Sequence, residues 1–444
     1  MLEDYLYEQN THWQNLPHEA GIDRELLHRI EGFTEIDQII TITGIRRCGK
    51  SYLLKQIINQ LLKTGITADN ILFVNLELPA FAGKACDEVL DVVWDTYKKL
   101  KNPSGRIYVL LDEIQTIGQW ENWIRYKYDQ NKGNIKFFLT GSNSQLLSGE
   151  LATKLSGRVI ETKLYPFSFR EYLSYHDLPC EEAQHLVIHK QSIMHLFDEY
   201  LTTGAMPELL SISSKETKRE LLSSYFSTIV FKDIVPRFSL RDAFLIQNLA
   251  LYLMGNATGL LNLEKTAQYH HTNRNTVRNY IAYLEYAFLC FSLPKFDFST
   301  KRQQLSQKKT YSIDNGFGHL LAFRFSPDRG KLLENLVFLS LLRQHDRLFY
   351  FRNQHECDFI IYQDPIEASA IQVCYELDSS NQKREVRGLR SAMKACNLNH
   401  GYILTYDQQT TISHESHDIN VIPVWKWLLT TDGPTIFTPS EART

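Results

Sequence analysis

The chain has 444 residues, of which 43% are hydrophobic and 22% are charged, and its formal net charge is −3. This length is enough for about three domains of roughly 150 residues each, and the composition is that of an ordinary globular protein. A net charge this small excludes binding of nucleic acid through the overall charge of the chain. Any nucleic-acid surface therefore has to be a local patch.

The cysteines and the first residues of the chain bear on its compartment. Seven cysteines are dispersed along the sequence without a CxxC pair or the spacing of a zinc site, which indicates reduced thiols and not a disulfide frame. The first stretch, MLEDYLYEQNTHWQN, has neither the basic nor the apolar region of a signal peptide. No stretch has the length and apolar character of a membrane span. We therefore expect a cytoplasmic protein without membrane association.

Residues 36–165 alternate short β-rich runs with segments of helix length. Such alternation predicts a parallel sheet that is covered by helices, with strands that are apolar on both faces. The runs that we predict as strands are IDQIITITG, ILFVNLE, IYVLLDE, IKFFLTG and RVIETKLY. The first part of the chain is therefore expected to have an α/β fold.

The motif GIRRCGKS, at residues 44–51, lies between the first predicted strand and a helix pattern. It matches GxxxxGK[ST], the phosphate-binding P-loop, in which glycines let backbone amides turn toward an anion at a helix N-terminus. In such a loop the lysine, here Lys50, reaches the β- and γ-phosphates, and the hydroxyl of Ser51 is a ligand of Mg²⁺. The alternative is a glycine turn with a chance lysine. The predicted nucleotide-binding residues are Gly44, Ile45, Arg46, Arg47, Cys48, Gly49, Lys50, Ser51 and Tyr52.

Two acidic residues, Asp112 and Glu113, end the apolar strand YVLLDE. An acid at the end of a buried strand is costly unless it meets a cation. We predict that Asp112 holds Mg²⁺ together with Ser51, and that Glu113 polarises the attacking water. The alternative is an acidic pair that caps a helix N-terminus. The expected cofactors are ATP and Mg²⁺, and the expected enzyme is an ATPase with Lys50 and Glu113 as catalytic residues.

Two further residues are candidates for contact with the γ-phosphate. The fourth predicted strand ends in TGSNS, where Asn143, or alternatively Ser142, could act as a sensor of the phosphate or its water; a plain turn is the competing interpretation. Arg158 follows a glycine and precedes a strand, and we predict that it stabilises charge on the transferring phosphoryl group. A surface salt bridge is the alternative for Arg158.

Several longer strings carry a family resemblance. GIRRCGKS, LLDEIQ followed by Trp120, LTGSNSQLLSGELATKLSGRV and LYPFSFREYL resemble the prokaryotic AAA-type ATPases that carry a C-terminal domain of unknown function. The resemblance extends over nearly the whole chain. It implies a P-loop sheet of the additional-strand class with a helical lid, then a winged helix, then an α/β domain similar to PD-(D/E)xK nucleases (a restriction-endonuclease-like fold). The predicted boundaries are 1–175, 176–240, 241–312, 313–435 and a tail at 436–444.

The predicted winged-helix segment has a basic surface. Residues 263–289 have a helix–turn–helix pattern, and the second helix is predicted to expose arginines and asparagines that can bind phosphates and purine edges. The run LCFSLPKF followed by KRQQLSQKK resembles a winged-helix hairpin with a basic tip at Lys301, Arg302, Lys308 and Lys309. The alternative is a module for packing or for self-association into a homo-oligomer. The residues predicted to contact DNA or RNA are Arg274, Arg278, Lys301 and Arg302.

The C-terminal segment has only part of a nuclease site. A PD-(D/E)xK site needs an acid, and then an acid and a lysine on one strand, to hold Mg²⁺ and activate water. Glu334 and Asp358 fit this pattern, but Gln372 stands where the second acid belongs and Cys374 stands where lysine belongs. Glutamine is a weak Mg²⁺ ligand, and cysteine supplies no ammonium group. We predict a nuclease-like fold that is kept for binding or assembly. A displaced metal site of Glu334, Asp358 and Glu376 is the alternative.

These patterns together predict an ATP-dependent conformational switch whose partners include ATP, ADP and, as a candidate, DNA or RNA. Two other functions stay open. An ATP-gated nuclease is disfavoured by Gln372 and Cys374, and an ATP-bound scaffold that does not hydrolyse ATP is disfavoured by Glu113.

Overall fold

A computed structural model of the chain describes residues 2–81, 84–142, 155, 157–322, 328–362, 368–398, 400–413 and 418–429. Asn143 and the predicted tail lie outside the described residues. The chain divides into two compact units, which are Met1–Pro166 with Tyr286–Phe288 and Phe167–Glu285 with Leu289–Thr444.

The first unit is built on a five-stranded parallel sheet. Its strands are β1 (Ile39–Thr43), β2 (Ile71–Asn75), β3 (Ile107–Asp112), β4 (Ile135–Gly141) and β5 (Val159–Lys163). Their order is β2-β3-β4-β1-β5, and every neighbouring pair is parallel. This confirms the predicted α/β fold, and it places β4 between β1 and β3.

Helices in the first unit cover a sheet whose central strands are buried on both faces, whereas the edge strand β5 exposes Glu161 and Lys163. Strands β1 and β4 are buried at every residue, as is expected when helices pack on both sides. The core includes Trp94 and Trp123 against Phe137 of β4. The helices are α1 (Leu2–Gln9), α2 (Glu25–Glu31), α3 (Lys50–Lys63), α4 (Val92–Lys101) and α5 (Trp120–Gln130).

Buried polar groups tie the segment ahead of β1 to helix α3. The side chain of Gln56, on α3, donates to the carbonyl oxygen of Ile22 at 2.6 Å and accepts from the backbone N–H of Arg24 at 3.1 Å. The guanidinium of Arg24 donates to the carbonyl oxygens of Cys48 and Tyr165, both at 2.7 Å. Because Arg24 is only 3% exposed, these carbonyls depend on it for their hydrogen bonds.

The second unit begins with helices and a small hairpin. The helices are α6 (Phe169–Tyr175), α7 (Ala183–Ile188), α8 (Lys190–Thr203), α9 (Lys215–Thr228), α10 (Ala243–Gly255), α11 (Leu263–Tyr269), α12 (Arg274–Tyr286) and α13 (Thr300–Leu305). Strands β6 (Cys290–Leu293) and β7 (Lys309–Ser312) pair antiparallel. The prediction that Lys309 lies at an exposed basic tip is wrong, because Lys309 pairs with Leu293 inside the hairpin and is 2% exposed.

A six-stranded mixed sheet forms the remainder of the second unit. Its strands are β8 (Leu348–Arg352), β9 (Glu356–Ile361), β10 (Ser369–Val373), β11 (His400–Thr405), β12 (Thr410–Ile412) and β13 (Ile419–Pro423), in the order β12-β13-β11-β10-β9-β8. The helices are α14 (Arg329–Gln344), α15 (Gln382–Cys396) and α16 (Val424–Trp427). Strand β10 ends at Val373, so Glu376 lies beyond it and is exposed. Glu376, the third residue of the displaced metal site, therefore does not lie on the strand where its position in the IQVCYEL run would place it.

Within the ranges that the structure describes, no helix combines the length and the apolar character needed to cross a lipid bilayer.

We expect the substitution Arg24→Ala to lower the free energy of unfolding of the first unit by about 2–4 kcal/mol, because two buried carbonyls lose charged donors. Urea denaturation followed by tryptophan fluorescence measures this, since Trp13, Trp94, Trp120 and Trp123 lie in the core of that unit. The matched control is Arg29→Ala, which removes an exposed arginine from α2. Equal unfolding curves for the two variants would contradict the role given to Arg24.

Candidate functional site

The loop between β1 and α3 passes close to the backbone that follows β5, and this leaves no room for a side chain at Gly44. A Cβ atom on Gly44 would lie 2.1 Å from the carbonyl oxygen of Leu164. Arg47 and Gly49 both have positive φ values, 71° and 100°, which turn successive amides toward a common centre. Helix α3 begins at Lys50, and its first N–H groups have no partner within the helix. The loop therefore has the geometry of an anion cradle.

The ammonium group of Lys50 is buried beside this cradle. Its Nζ atom donates to the carbonyl oxygens of Gly44 and Ile45 at 3.2 and 3.3 Å, and lies 3.2 Å from Oε1 of Glu113. Burial by itself would lower the pKa of Lys50, but neighbouring negative groups, above all Glu113, raise it above its usual value. Lys50 is therefore a charged donor that already faces an acid.

The carboxylate of Asp112 is fully buried at the end of β3. Its Oδ1 atom accepts from the hydroxyl of Thr140 at 2.5 Å, and its Oδ2 atom is buried without a hydrogen-bond partner among the described residues. Burial and the charge of Glu113 raise the pKa of Asp112, whereas hydrogen bonds from Ser51 and Thr140 lower it. The structure thus brings the two predicted Mg²⁺ ligands, Ser51 and Asp112, together, and the unpartnered oxygen fits a cation of this kind.

Glu113 follows in a left-handed conformation, with φ 54°. Its Oε2 atom accepts from the side-chain amide of Gln115 at 2.5 Å, and the same amide donates to the hydroxyl of Ser142 at 3.2 Å. Its backbone N–H donates to the hydroxyl of Thr140 at 2.9 Å. Burial would raise the pKa of Glu113, but Lys50 and the Gln115 hydrogen bond lower it below its usual value. Glu113 is therefore an oriented, ionised carboxylate.

Other predicted site residues lie in different surroundings. Arg46 donates to Oε1 of Glu77 at 2.7 Å, and Tyr52 is 52% exposed. Arg158 pairs with Asp129, with 3.1 Å between Nε and Oδ1, as in the salt-bridge alternative. Its action on a phosphoryl group stays a prediction.

Sequence reasoning missed three residues that organise this site, namely Arg24, Gln115 and Thr140. Thr140 is adjacent to Asp112 because Leu139 of β4 pairs with Leu111 of β3, and no motif gives this sheet order. Gln115 lies in a short turn that the sequence does not distinguish from a helix start. The guanidinium of Arg24 donates to backbone carbonyl oxygens of the site, and such contacts leave no signal in a motif.

The four residues predicted to contact nucleic acid are exposed in the second unit. Arg274 forms an ion pair with Glu264 at 2.9 Å, and Arg302 forms one with Asp297 at 3.0 Å. The Arg274–Glu264 pair is exposed on both sides and contributes little to stability, so Arg274 can exchange its acid for a phosphate; the Asp297 side chain is only 19% exposed. The exposed set is Arg274, Arg278, Lys301 and Arg302.

The predicted nuclease-like residues are only partly brought together. Glu334 and Asp358 both contact the Lys309 ammonium, at 3.1 and 2.9 Å. Cys374 instead packs in an apolar cluster of the C-terminal sheet, and burial raises its pKa to about 12. A thiol in this state is neutral and inert.

Comparison with known families divides the chain into three matched segments. Residues 37–173 match the family described as an AAA domain. Residues 194–328 match the domain of unknown function DUF8612, and residues 329–427 match the domain of unknown function DUF4143.

The chain is also similar to whole proteins. It is 32% identical over 410 residues to the Methanocaldococcus jannaschii protein "Uncharacterized protein MJ1544", covering 89% of each chain. It is 31% identical over 421 residues to an "Uncharacterized protein" of Haemophilus influenzae, covering 92% of this chain and 99% of the other. Among solved structures, the Aeropyrum pernix ORC1 protein in complex with DNA aligns with TM-score 0.30 and 14% identity over 69% of this chain and 92% of that one. A TM-score this low supports no further conclusion. The extent of the sequence identity shows that the chain belongs to the same family as the M. jannaschii protein MJ1544, with an AAA domain at residues 37–173.

Proposed function

We propose that this protein binds ATP with Mg²⁺, hydrolyses it to ADP and phosphate, and uses the reaction as a conformational switch. The observation that carries the proposal is the buried Lys50 ammonium beside Asp112 and Glu113, with one oxygen of Asp112 that has no hydrogen-bond partner among the residues that the structure describes. Paired acids at a strand end, facing a lysine at a helix N-terminus, are suited to a magnesium-bound triphosphate.

Binding would exchange the present contacts of the loop for phosphate contacts. Lys50 now donates to two carbonyl oxygens of its own loop, and phosphate oxygens are stronger acceptors for an ammonium group. Ser51 and Asp112 would hold Mg²⁺, which supplies positive charge to the phosphates when it is bound. Backbone amides between Gly44 and Ser51 would hold the remaining phosphate oxygens.

Glu113 is the proposed base for the attacking water. In the structure, the Glu113 carboxylate is engaged in an ion pair with Lys50. Movement of Lys50 toward phosphate would free this carboxylate for a water molecule, while the hydrogen bond from Gln115 holds its orientation. An ionised carboxylate within reach of a water molecule can accept its proton. The lowered pKa of Glu113 keeps this base ionised at neutral pH.

The first prediction from this proposal concerns turnover. We expect Lys50→Ala to abolish measurable ATP binding, and Glu113→Gln to retain binding but lose at least about a hundredfold in the rate of phosphate release. Lys63→Ala, which changes an exposed lysine at the other end of α3, is the matched control and should leave both quantities unchanged. Calorimetry with Mg-ATP and a phosphate-release assay separate the two effects. Undiminished turnover in both site variants would refute the assignment.

A second prediction concerns Thr140. The substitution Thr140→Val keeps the shape of the side chain but removes the hydroxyl that links Asp112 and the Glu113 backbone, at a cost of about 1–3 kcal/mol. We expect a roughly tenfold or larger loss of turnover, with more Mg²⁺ needed for half-maximal rate. Thr140→Ser retains the hydroxyl and should stay close to the unsubstituted protein. If valine and serine variants respond alike to Mg²⁺, the hydroxyl has no part in the site.

A second candidate function is nucleic-acid binding by the middle segment. The supporting observation is that Arg274, Arg278, Lys301 and Arg302 are all exposed, and that Glu264, the acid paired with Arg274, is an exposed partner that a phosphate can replace. We infer that α11, α12 and the hairpin β6–β7 act as a winged helix with α12 toward the duplex. Self-association through this segment is the competing role.

For this candidate, we expect the protein to bind duplex DNA with an affinity that weakens as salt is added. The magnitude of the slope of log K against log salt should decrease by about one for each phosphate contact removed. Arg278→Ala and Lys301→Ala should each reduce the slope. Lys215→Ala, an exposed lysine on α9, should not. Fluorescence anisotropy over a salt series measures the slopes, and DNA binding that is absent or independent of salt would exclude the candidate.

We infer a binding or assembly role, and not cleavage, for the C-terminal sheet. The side-chain amide of Gln372 donates to Oε2 of Glu385 at 2.8 Å, which is a structural contact. Cys374 is buried and neutral. Neither residue can supply the acid and the ammonium that a PD-(D/E)xK site uses.

A further inference from the structure

Three carboxylates from two elements of the second unit converge on one ammonium group. Nζ of Lys309, on strand β7, lies 3.1 Å from Glu334 on helix α14. It also lies 2.8 Å from Glu356 and 2.9 Å from Asp358, which are two residues apart on β9 and so project from the same face of that strand. An ammonium group has three N–H donors, and here each one has its own carboxylate.

Lys309 and two of the acids are largely shielded from water, whereas the Glu356 side chain is 37% exposed. The Lys309 side chain is 3% exposed and that of Asp358 is 8% exposed. The hydroxyl of Tyr311 donates to Glu334 at 2.8 Å, and the backbone N–H of Val373 donates to the second oxygen of Asp358 at 3.0 Å. Both acids are therefore fixed in orientation, with one oxygen each on the lysine.

Only a cation explains why these acids lie together. Bringing carboxylates into a buried site is costly unless positive charge compensates them. Carboxylate oxygens from separate elements are the ligands that Mg²⁺ and Mn²⁺ prefer. The metal site that the nuclease resemblance implies does not fit these residues, since the ammonium already occupies the point where the carboxylates meet. Among the described residues, no group of three or more His, Cys, Asp or Glu side chains is spaced to hold a metal. The distances of 2.8 to 3.1 Å around Lys309 are those of an ammonium ion, so a metal can bind here only once Lys309 is removed and the carboxylates move closer together.

We propose that Glu334, Glu356 and Asp358 form a divalent-cation position that the chain fills with its own Lys309. The lysine acts as a permanent internal cation: it closes the position to metal and fastens the hairpin β6–β7 to α14 and β9. This assignment goes beyond the proposed nucleotide chemistry and does not depend on it, because every group involved lies in the second unit.

The test is a substitution that empties the position. Lys309→Met keeps the length of the side chain but removes the charge, and we expect this variant to bind Mn²⁺ at least about tenfold more tightly than the unsubstituted protein, a difference of about 1.4 kcal/mol. The same variant should show an Mn²⁺-dependent rise in its unfolding temperature. Calorimetry and thermal unfolding, both without nucleotide, provide the readouts.

The matched control is Lys309→Met combined with Asp358→Asn, which lacks both the lysine and one ligand and should lose the acquired Mn²⁺ binding. Any Mn²⁺ bound weakly elsewhere is common to all of these proteins and cancels in the comparison. Unsubstituted protein that binds Mn²⁺ as tightly as Lys309→Met, and loses it on Asp358→Asn, would overturn the proposal.

Loss of folding is covered by a further variant. Lys309→Met with Glu334→Gln removes one positive and one negative group, so it carries one negative charge fewer than Lys309→Met and restores the formal charge of the unsubstituted cluster, while keeping Glu356 and Asp358. The proposal is supported if either variant folds only when Mn²⁺ is present. It is also supported if the double variant folds and binds Mn²⁺ in a way that depends on Asp358. The proposal is contradicted if the variants fold but do not bind Mn²⁺. It is also contradicted if both variants are unfolded and Mn²⁺ does not restore folding.

Discussion

Pairing of buried charge is the constraint on which the first unit depends. Lys50 can remain an ammonium ion inside the protein only because Glu113 faces it and Asp112 lies close by. Strand β4 separates the strand that leads into the loop from the strand that carries the acids. The residue at the end of β4 must therefore be small and polar enough to reach both acids, and Thr140 fills this place.

The same constraint has a different outcome in the second unit. Around Lys50, two of the acceptors are carbonyl oxygens of a loop, and one oxygen of Asp112 is unpaired within the described part of the chain. Such contacts are readily exchanged for those of a ligand. Around Lys309, every donor is taken by a carboxylate, which leaves nothing to exchange. The contacts of Lys50 can thus be replaced by those of a ligand, whereas the contacts of Lys309 are fixed within the protein.

The sequence predicted most of the first unit, because strand–helix alternation and the GxxxxGK[ST] spacing are local patterns. All five strands of its sheet agree with that prediction. Ser51 and Asp112 are close enough to hydrogen-bond, and their role as Mg²⁺ ligands stays a prediction. The positions of Thr140 and Arg24 depend on strand order and on contacts with distant backbone atoms, which local patterns do not encode. Lys309 was misplaced for a similar reason: a lysine in a basic run looks exposed until its distant acidic partners are known.

The position of Lys309 bears on how this family can change over time. The lysine lies in the segment matched as residues 194–328, whereas Glu334, Glu356 and Asp358 belong to the segment matched as residues 329–427. A recombination event that exchanged one segment alone would leave either a lone cation or uncompensated acids in the interior, and each is costly. The two segments therefore have to be exchanged together, even though their sequences can be matched separately.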